Sequence, residues 1–538
     1  MSRRYSRRRA LRLGTAAGAG MLASGLAGCG LQPGGIFPRG GANSSAEGSA
    51  GAVLRSDAPL PEPFTVPLPL PPELDPVRSD GQGDYFELTQ QAARMEILPG
   101  LSTEIWGYNG TFPGPTIVSR RGRRTVVRHR NELEVPTVVH LHGGKTPPEH
   151  DGYPTDLVLP AGGGHRHSGH VERGEHDGFF ADGEWAYEYP ADQQAATLWY
   201  HDHSMDFTGP KVYRGLAGFH LIRDDEEESL GLPSGEREIP LMIADRSFAE
   251  DGSFRYPSKD HSLLGEPGVE GDAISGMLGD CILVNGAPWP VLEVTNTRYR
   301  FRLLNASNAR RYRLALDPPP PEGPSFVQIG SDLGLLSEPL GHNRIQLAQA
   351  ERFDVVVDFS AYRVGEQVTL VNELGDGGTG QVMRFVVARR GNEDSQVPST
   401  LADVRPLTRS DATVERAFTF ARGGSSAHGV TLWTINGEEF DPDRIDANPR
   451  LGAVELWRLH GLNVAHPIHI HLAQSQVLSR DGNGPRRTDR GWKDTVDLDN
   501  GERAELLVRF DGYRGKYVFH CHNLEHEDMM MMANIEVI

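Results

Sequence analysis

Cysteine is nearly missing from this chain: three in 538 residues, at positions 29, 281 and 521. With so few, there is no disulfide framework and no Cys-x-x-Cys zinc site. Positive charge is also short, 54 Lys and Arg against 73 Asp and Glu, for a formal balance of −19. A polyanion needs a basic face, so nucleic acid is disfavoured as a partner. No long stretch repeats with helical period, which argues against a helical bundle. The only sustained apolar run, residues 13–27, is too short and too rich in Gly and Ala to span a membrane stably.

What is present is turn chemistry. Glycine at 63 and proline at 38, between short Val, Ile, Leu and Tyr runs, predict an all-β chain. Its length predicts roughly three domains of about 150 residues. The N-terminus reads as a targeting segment, residues 1–29. Arg7-Arg8-Arg9-Ala10-Leu11 is similar to a twin-arginine export signal, with Ala10 where a bulkier residue is usual. Leu26-Ala27-Gly28-Cys29 resembles a lipoprotein cleavage box, in which Cys29 would be lipidated; ordinary cleavage beside an incidental cysteine is the alternative. Either reading places the protein outside the cytoplasmic membrane, periplasmic or at the cell surface. Residues 30–83, rich in Gly, Ser and Pro, read as a flexible tether whose later part lies along the surface. Cys281, before Ile282-Leu283-Val284, reads as a buried structural thiol.

The body then repeats weakly three times. Each copy opens on a strand ending in Asn-Gly, at Asn109-Gly110, Asn285-Gly286 and Asn436-Gly437. Each continues about 20 residues later into an alternating strand. The first copy then reaches His140-Leu141-His142 and the third His469-Ile470-His471. The second reaches Asn308-Ala309-Arg310-Arg311 and has no histidine there. The expected boundaries are 84–228, 236–392 and 410–538, with metal ligands in the outer two and a spacer between.

Four His-x-His pairs are present: His140 and His142, His201 and His203, His469 and His471, His520 and His522. On a strand, residues two apart share a face, so each pair aims two imidazoles the same way. Cys521, inside the last pair, points to the other face. With His526 and Met531 it supplies thiolate, imidazole and thioether, the soft donors of a blue-copper site, which needs one more imidazole. Eight histidines are too many for one ion; with two or three nitrogens each they make three metals. His466, Cys521, His526 and Met531 remain for a fourth. The tripeptide His520-Cys521-His522 would join two centres through a short covalent path.

Taken in order, these motifs resemble the multicopper oxidases, over about residues 84–538. Trp106-Gly107-Tyr108-Asn109-Gly110, Phe112-Pro113-Gly114-Pro115-Thr116 and Gly491-Trp492-Lys493-Asp494-Thr495 are most similar to bacterial spore-coat-type laccases and bilirubin oxidases. The resemblance implies three consecutive cupredoxin-like Greek-key β-barrels, with a trinuclear cluster between the first and last. It implies four copper ions. Type 1 copper would be held by His466, Cys521 and His526 with Met531 axial, and type 2 by His140 and His469. One type 3 copper would take His142, His201 and His522, the other His203, His471 and His520. Met529, Met530 and Met532 would then be packing residues. Electrons would enter at an exposed edge of His466. Glu527 and Asp151 match acids that serve proton delivery, although Asp151-Gly152 is also an ordinary turn dipeptide and Glu527 could be a surface acid.

Two features are left outside that scheme. Residues 161–176 hold His165, His167, His170 and His176 in a Gly-rich stretch, read as a solvated insertion rather than a copper-recruiting loop. Asp494 would orient a ligand, border the substrate pocket or merely end a strand. The function expected is oxidation of phenolic, aminophenolic or bilirubin-like small molecules by dioxygen, in a monomer. A cuprous oxidase for copper tolerance ranks lower, since the eleven methionines form no Met-rich insert. A non-catalytic copper-binding cupredoxin protein ranks lower still, because no ligand is missing.

Overall fold

The computed structural model describes residues 51–162, 172–173, 178–425 and 431–538. The targeting segment with Cys29, the first part of the tether, and His165, His167, His170 and His176 lie outside the described residues. Most strands come in three successive groups of two large sheets; a three-stranded sheet (Leu157–Leu159, Phe179–Asp182, Glu172–Arg173) and one two-stranded pair lie beside them. The outer groups match: each has a five-stranded and a four-stranded sheet, and the four-stranded one carries the histidine pairs. The middle group pairs a seven-stranded with a five-stranded sheet.

The Asn-Gly repeats have one structural cause. Asn109, Asn285 and Asn436 all sit at positive φ (53°, 51° and 56°), each followed by a glycine also at positive φ. Such a pair closes a tight turn that a β-branched residue would resist. In each copy the asparagine Oδ1 accepts from a backbone N–H on a neighbouring strand, Thr89, Met242 and Thr419 respectively, all at 2.8 Å. The same hydrogen bond made three times is the physical content of the internal repeat.

The Pro-rich stretch is docked rather than loose from Ala52 onward. Ala52–Leu54 pairs in parallel with Met277–Gly279, and Arg78–Asp80 pairs with Gly83–Met95. Pro67 bridges to Val291 and Glu73 to Thr116. The stretch thus satisfies strand-edge backbone groups that would otherwise be exposed for aggregation. This differs from a flexible tether reaching residue 83.

Where the outer copies carry histidine pairs, the middle copy carries braces. Asn308 donates its amide to Glu525 Oε1 (2.9 Å) and accepts from the Leu524 N–H (3.1 Å). Arg311 pairs with Asp497 and donates to the Leu498 carbonyl. Cys281 is wholly buried in the core of that copy, and burial pushes its thiol up, as expected of an inert structural cysteine. Among the described residues no helix is long and apolar enough to cross a membrane.

Candidate metal centre

Strand pairing assembles the histidines. Val139–His142 runs antiparallel to Ala196–Asp202 with His140 opposite His201. His466–Ile470 runs antiparallel to Gly515–Cys521 with His469 opposite His520. His203, His471 and His522 lie just beyond strand ends, yet their N–H groups still bond the neighbouring chain at Val138, Val518 and Pro467. Rings from residues over 300 apart in the chain, carried by the two four-stranded sheets, touch. His142 stacks on His469 with centroids 3.6 Å apart, and His140 on His471 at 3.8 Å.

All eight of these histidines are buried, at 1% exposure or less. Their ring nitrogens converge in sets: His142, His201 and His522; His203, His471 and His520; and His140 with His469, whose Nε2 atoms are 3.3 Å apart. On the opposite face of Gly515–Cys521, Cys521 Sγ lies 3.4 Å from His466 Nδ1 and 3.4 Å from His526 Nδ1. Met531 shares an apolar cluster with Cys521, and its carbonyl accepts from the Cys521 N–H (3.1 Å). Met530 and Met532 turn into a separate cluster with Tyr153, Phe440 and Val518, while Met529 packs in the core.

The second nitrogen of most rings is committed to an acceptor. His140 Nδ1 faces the Asp151 carbonyl (2.6 Å), His201 Nδ1 that of Asp202 (2.8 Å), and His469 Nδ1 that of Asp494 (3.0 Å). His471 Nδ1 donates to Asp151 Oδ2 (2.7 Å), and His520 Nδ1 lies 3.1 Å from Glu527 Oε2. His466 Nε2 donates to the Leu462 carbonyl (2.9 Å). Since carbonyls and carboxylates only accept, the proton sits on that nitrogen and the converging one bears a lone pair. His142 Nδ1, His201 Nε2 and both nitrogens of His522 have no hydrogen-bond partner. Inward lone pairs without protons between them are what a cation needs, and N-H-to-carboxylate support from behind is the usual outer arrangement of metal-binding histidine. Imidazole sets without thiolate, beside one His2Cys set, suit copper.

Electrostatics agree. Burial, then the neighbouring imidazoles, lowers His140, His142, His469, His471 and His522 well below 6.5, and His201 to about 3. Burial takes His203 and His466 to about 4. Burial pushes the Cys521 thiol up, so a bound cation is what would make it a thiolate. The sign of the pH effect on the metal-free protein follows. The unfolded chain takes up imidazole protons below 6.5 and the folded one does not, so stability is intact above that value. It is lost as pH falls from there toward 3–4, by about 1.4 kcal/mol per ring per pH unit. The thermal midpoint of metal-free protein should therefore drop steeply between about pH 7 and 5, as calorimetry would show; a flat profile would mean that the rings are hydrated.

Both expected acids are fully buried. Asp151 is at once a turn residue and a buried carboxyl. Gly152 follows at φ 79°, where a Cβ would lie 2.2 Å from the Val139 carbonyl oxygen, so only glycine lets the turn press against the histidine strand. Burial raises Asp151 well above the usual carboxylate range. Glu527, from the one-turn helix Leu524–Asp528, sits between His203 and His520. Burial opposes its charge, but those two imidazoles outweigh burial and hold it well below.

One finding departs from sequence expectation. His466 has no exposed edge: it is fully buried, with Gly461 and Phe420 beside it and the half-exposed Leu462 bonded to its Nε2. Asp494, for which orienting a ligand was one of three readings, reaches His142 Nε2 (3.2 Å) while Arg352 grips its carboxylate. Arg352 carries no sequence signal, nor does Trp433, which stacks on His526 at 3.8 Å. A narrow cavity of about 10 Å3, room for about one water, runs between Gly143–Lys145 and Leu472–Gln474 and reaches His469 and Asp494.

Comparison with known proteins bears on the same residues. Family models described as multicopper oxidase match residues 89–173, 164–227 and 409–538. A laccase from Bacillus stratosphericus is 38% identical over 530 residues, covering 89% of this chain and 99% of its own. A bilirubin oxidase from Albifimbria verrucaria is 37% identical, covering 87% and 80%. The crystal structure of a laccase from Pediococcus acidilactici superposes with a TM-score of 0.76 at 33% identity, over 90% of this chain and 96% of that one. Convergent imidazoles, a lone thiol between two of them and this likeness along nearly the whole body have one explanation: the chain belongs to the multicopper oxidase family, a copper-binding, laccase-like enzyme of three cupredoxin-like domains.

Proposed function

We propose that the protein holds four copper ions and couples one-electron oxidation of phenolic, aminophenolic or bilirubin-like donors to reduction of dioxygen to water. The observation that carries this is the convergence of proton-free ring nitrogens from two outer domains, back to back with the Cys521 set. Type 1 copper would be held by His466, Cys521, His526 and Met531, and type 2 by His140 and His469. One type 3 copper is assigned to His142, His201 and His522, the other to His203, His471 and His520. When bound, the copper ions supply acceptance of single electrons from the donor and four-electron reduction of dioxygen.

The chain's own residues do the rest. Cys521 is bonded through backbone to His520 and His522, so a few covalent atoms separate the two centres. A donor docks on the cover over His466, formed by half-exposed Leu462 and Val464 and exposed Asn463. Asp151, with Oδ2 accepting from His471, holds a proton more readily than an ordinary carboxyl because burial disfavours its charge. Glu527 is held ionised, so the pair splits into one proton donor and one acceptor, the arrangement general acid–base chemistry uses. The cavity at Gly143–Lys145 has room for about one water on the His469 side.

The targeting segment supports export, with lipidated Cys29 as a membrane anchor, and the mature chain acting as a monomer. The test is metal analysis together with oxygen uptake on copper-loaded protein, using phenolic, bilirubin and Cu(I) donors in parallel. Four ions per chain and uptake with phenols or bilirubin are expected. Copper binding without oxygen uptake would leave a carrier, and uptake with Cu(I) alone a cuprous oxidase.

A further inference from the structure

We propose that Arg352, from the middle domain that contributes none of the assigned ligands, positions the cluster between the outer domains by fixing the Asp494 carboxylate. The proposal rests on the reading of His142 and His469 as copper ligands and adds a residue that acts on them.

Arg352 is fully buried, and all five of its side-chain N–H groups are used. Nη1 and Nη2 grip Asp494 Oδ1 (2.7 Å) and Oδ2 (2.5 Å) as a two-pronged fork. The remaining hydrogens go to the carbonyls of Thr197 (3.0 Å), Ala350 (2.9 Å) and Asp332 (3.0 Å). The guanidinium therefore cannot turn, and neither can the carboxylate it holds. Asp494 Oδ1 then lies 3.2 Å from His142 Nε2 and also accepts from Thr495 Oγ1 (2.9 Å). The Asp494 backbone carbonyl takes the His469 Nδ1 proton (3.0 Å). His142 and His469 are the rings stacked 3.6 Å apart, so one residue sets both.

The neighbouring contacts make the grip reciprocal. Lys493 reaches the other way, to Asp332 and Glu351 of the middle domain, at 3.1 Å each. Asp332 also accepts from the Arg352 N–H (2.9 Å). Gly143, directly after His142 and at φ 88°, leaves the space: a Cβ there would meet Arg352 Nη2 at 2.8 Å and Asp494 Oδ2 at 3.0 Å. A clamp that only joined domains would need no oxygen aimed at a ring nitrogen. Here that oxygen, with the Thr495 hydroxyl it orients (Oγ1 3.1 Å from His142 Nε2), keeps the His142 proton on Nε2, which leaves Nδ1 as the lone-pair atom toward His201 and His522. The rigidity of arginine matters: lysine offers one point charge and cannot hold both oxygens in a plane.

The test compares Arg352→Met and Arg352→Lys with the parent as copper-loaded holoenzymes. Three readouts are taken: copper affinity by chelator competition, the type 2 electron paramagnetic resonance signal, and the blue absorbance of the Cys521 centre. In Arg352→Met the weakest-held copper should lose about 10–100-fold in affinity, the usual cost of removing an outer partner of a ligand. Its resonance signal should change while the blue absorbance stays. Arg352→Lys should fall between. A lower melting temperature with unchanged affinity and resonance, or loss of the blue band in step with the rest, overturns the proposal. If the methionine variant does not fold, parent-like affinity and resonance in the lysine variant overturn it alone. A parent protein that binds only the blue copper would instead overturn the ligand reading beneath it.

Discussion

Cys521→Ser abolishes the blue colour and donor oxidation while leaving the type 3 pair reducible by small chemical reductants. Sγ lies between His466 Nδ1 and His526 Nδ1, 3.4 Å from each, where a bound cation would make it a thiolate. A serine hydroxyl is nearly the same size but far harder to deprotonate, and the blue colour belongs to copper bound to thiolate. The eight histidines of the cluster lie on the other face of the strand or on other strands, so their set is unaltered. Turnover with phenolic donors should fall to background while copper content drops by about one ion. Optical spectra, metal analysis and oxygen uptake on one sample decide it; retained colour would sink the assignment of Cys521, and with it the division into two centres.

Glu527→Gln lowers kcat for oxygen reduction by about 10²–10⁴-fold, the span that loss of a positioned proton-transfer group produces. Blue absorbance should be retained, because Glu527 faces His203 and His520 and not the Cys521 set. The amide has the same shape but no charge to exchange a proton with. Asp151→Asn should fall in the same direction with a distinct pH profile, since burial sets Asp151 apart from Glu527 in proton affinity. Steady-state oxygen uptake across pH, normalised to blue absorbance, is the measurement. Parent-like kcat in both variants would remove proton delivery from these acids.

The histidine pairs were legible because strand periodicity is a local property. Backbone pleat alone puts His520 and His522 on one side of Gly515–Cys521 and Cys521 on the other, whatever the sheet packs against. Asn-Gly turns were legible for the same reason: the positive φ at Asn109, Asn285 and Asn436 is a cost each residue meets locally. Met531 was picked out from its three neighbours by the family's spacing; Met530 and Met532 turn into another cluster, while Met529 shares that of Met531.

Other features needed the folded chain. Whether His466 is open to solvent depends on how Leu462 folds back over its ring, which no pattern within the strand records. The three readings of Asp494 stayed open in the sequence because its partner, Arg352, lies 142 residues away. Buried ion pairs between distant segments leave no periodic trace in the sequence, since each charge alone resembles a solvated residue. The sequence by itself thus determined which side chains could bind metal and which face each would use. The tertiary structure alone decided which rings meet, which acids back them and how deeply His466 is buried, because those depend on how distant segments close on one another.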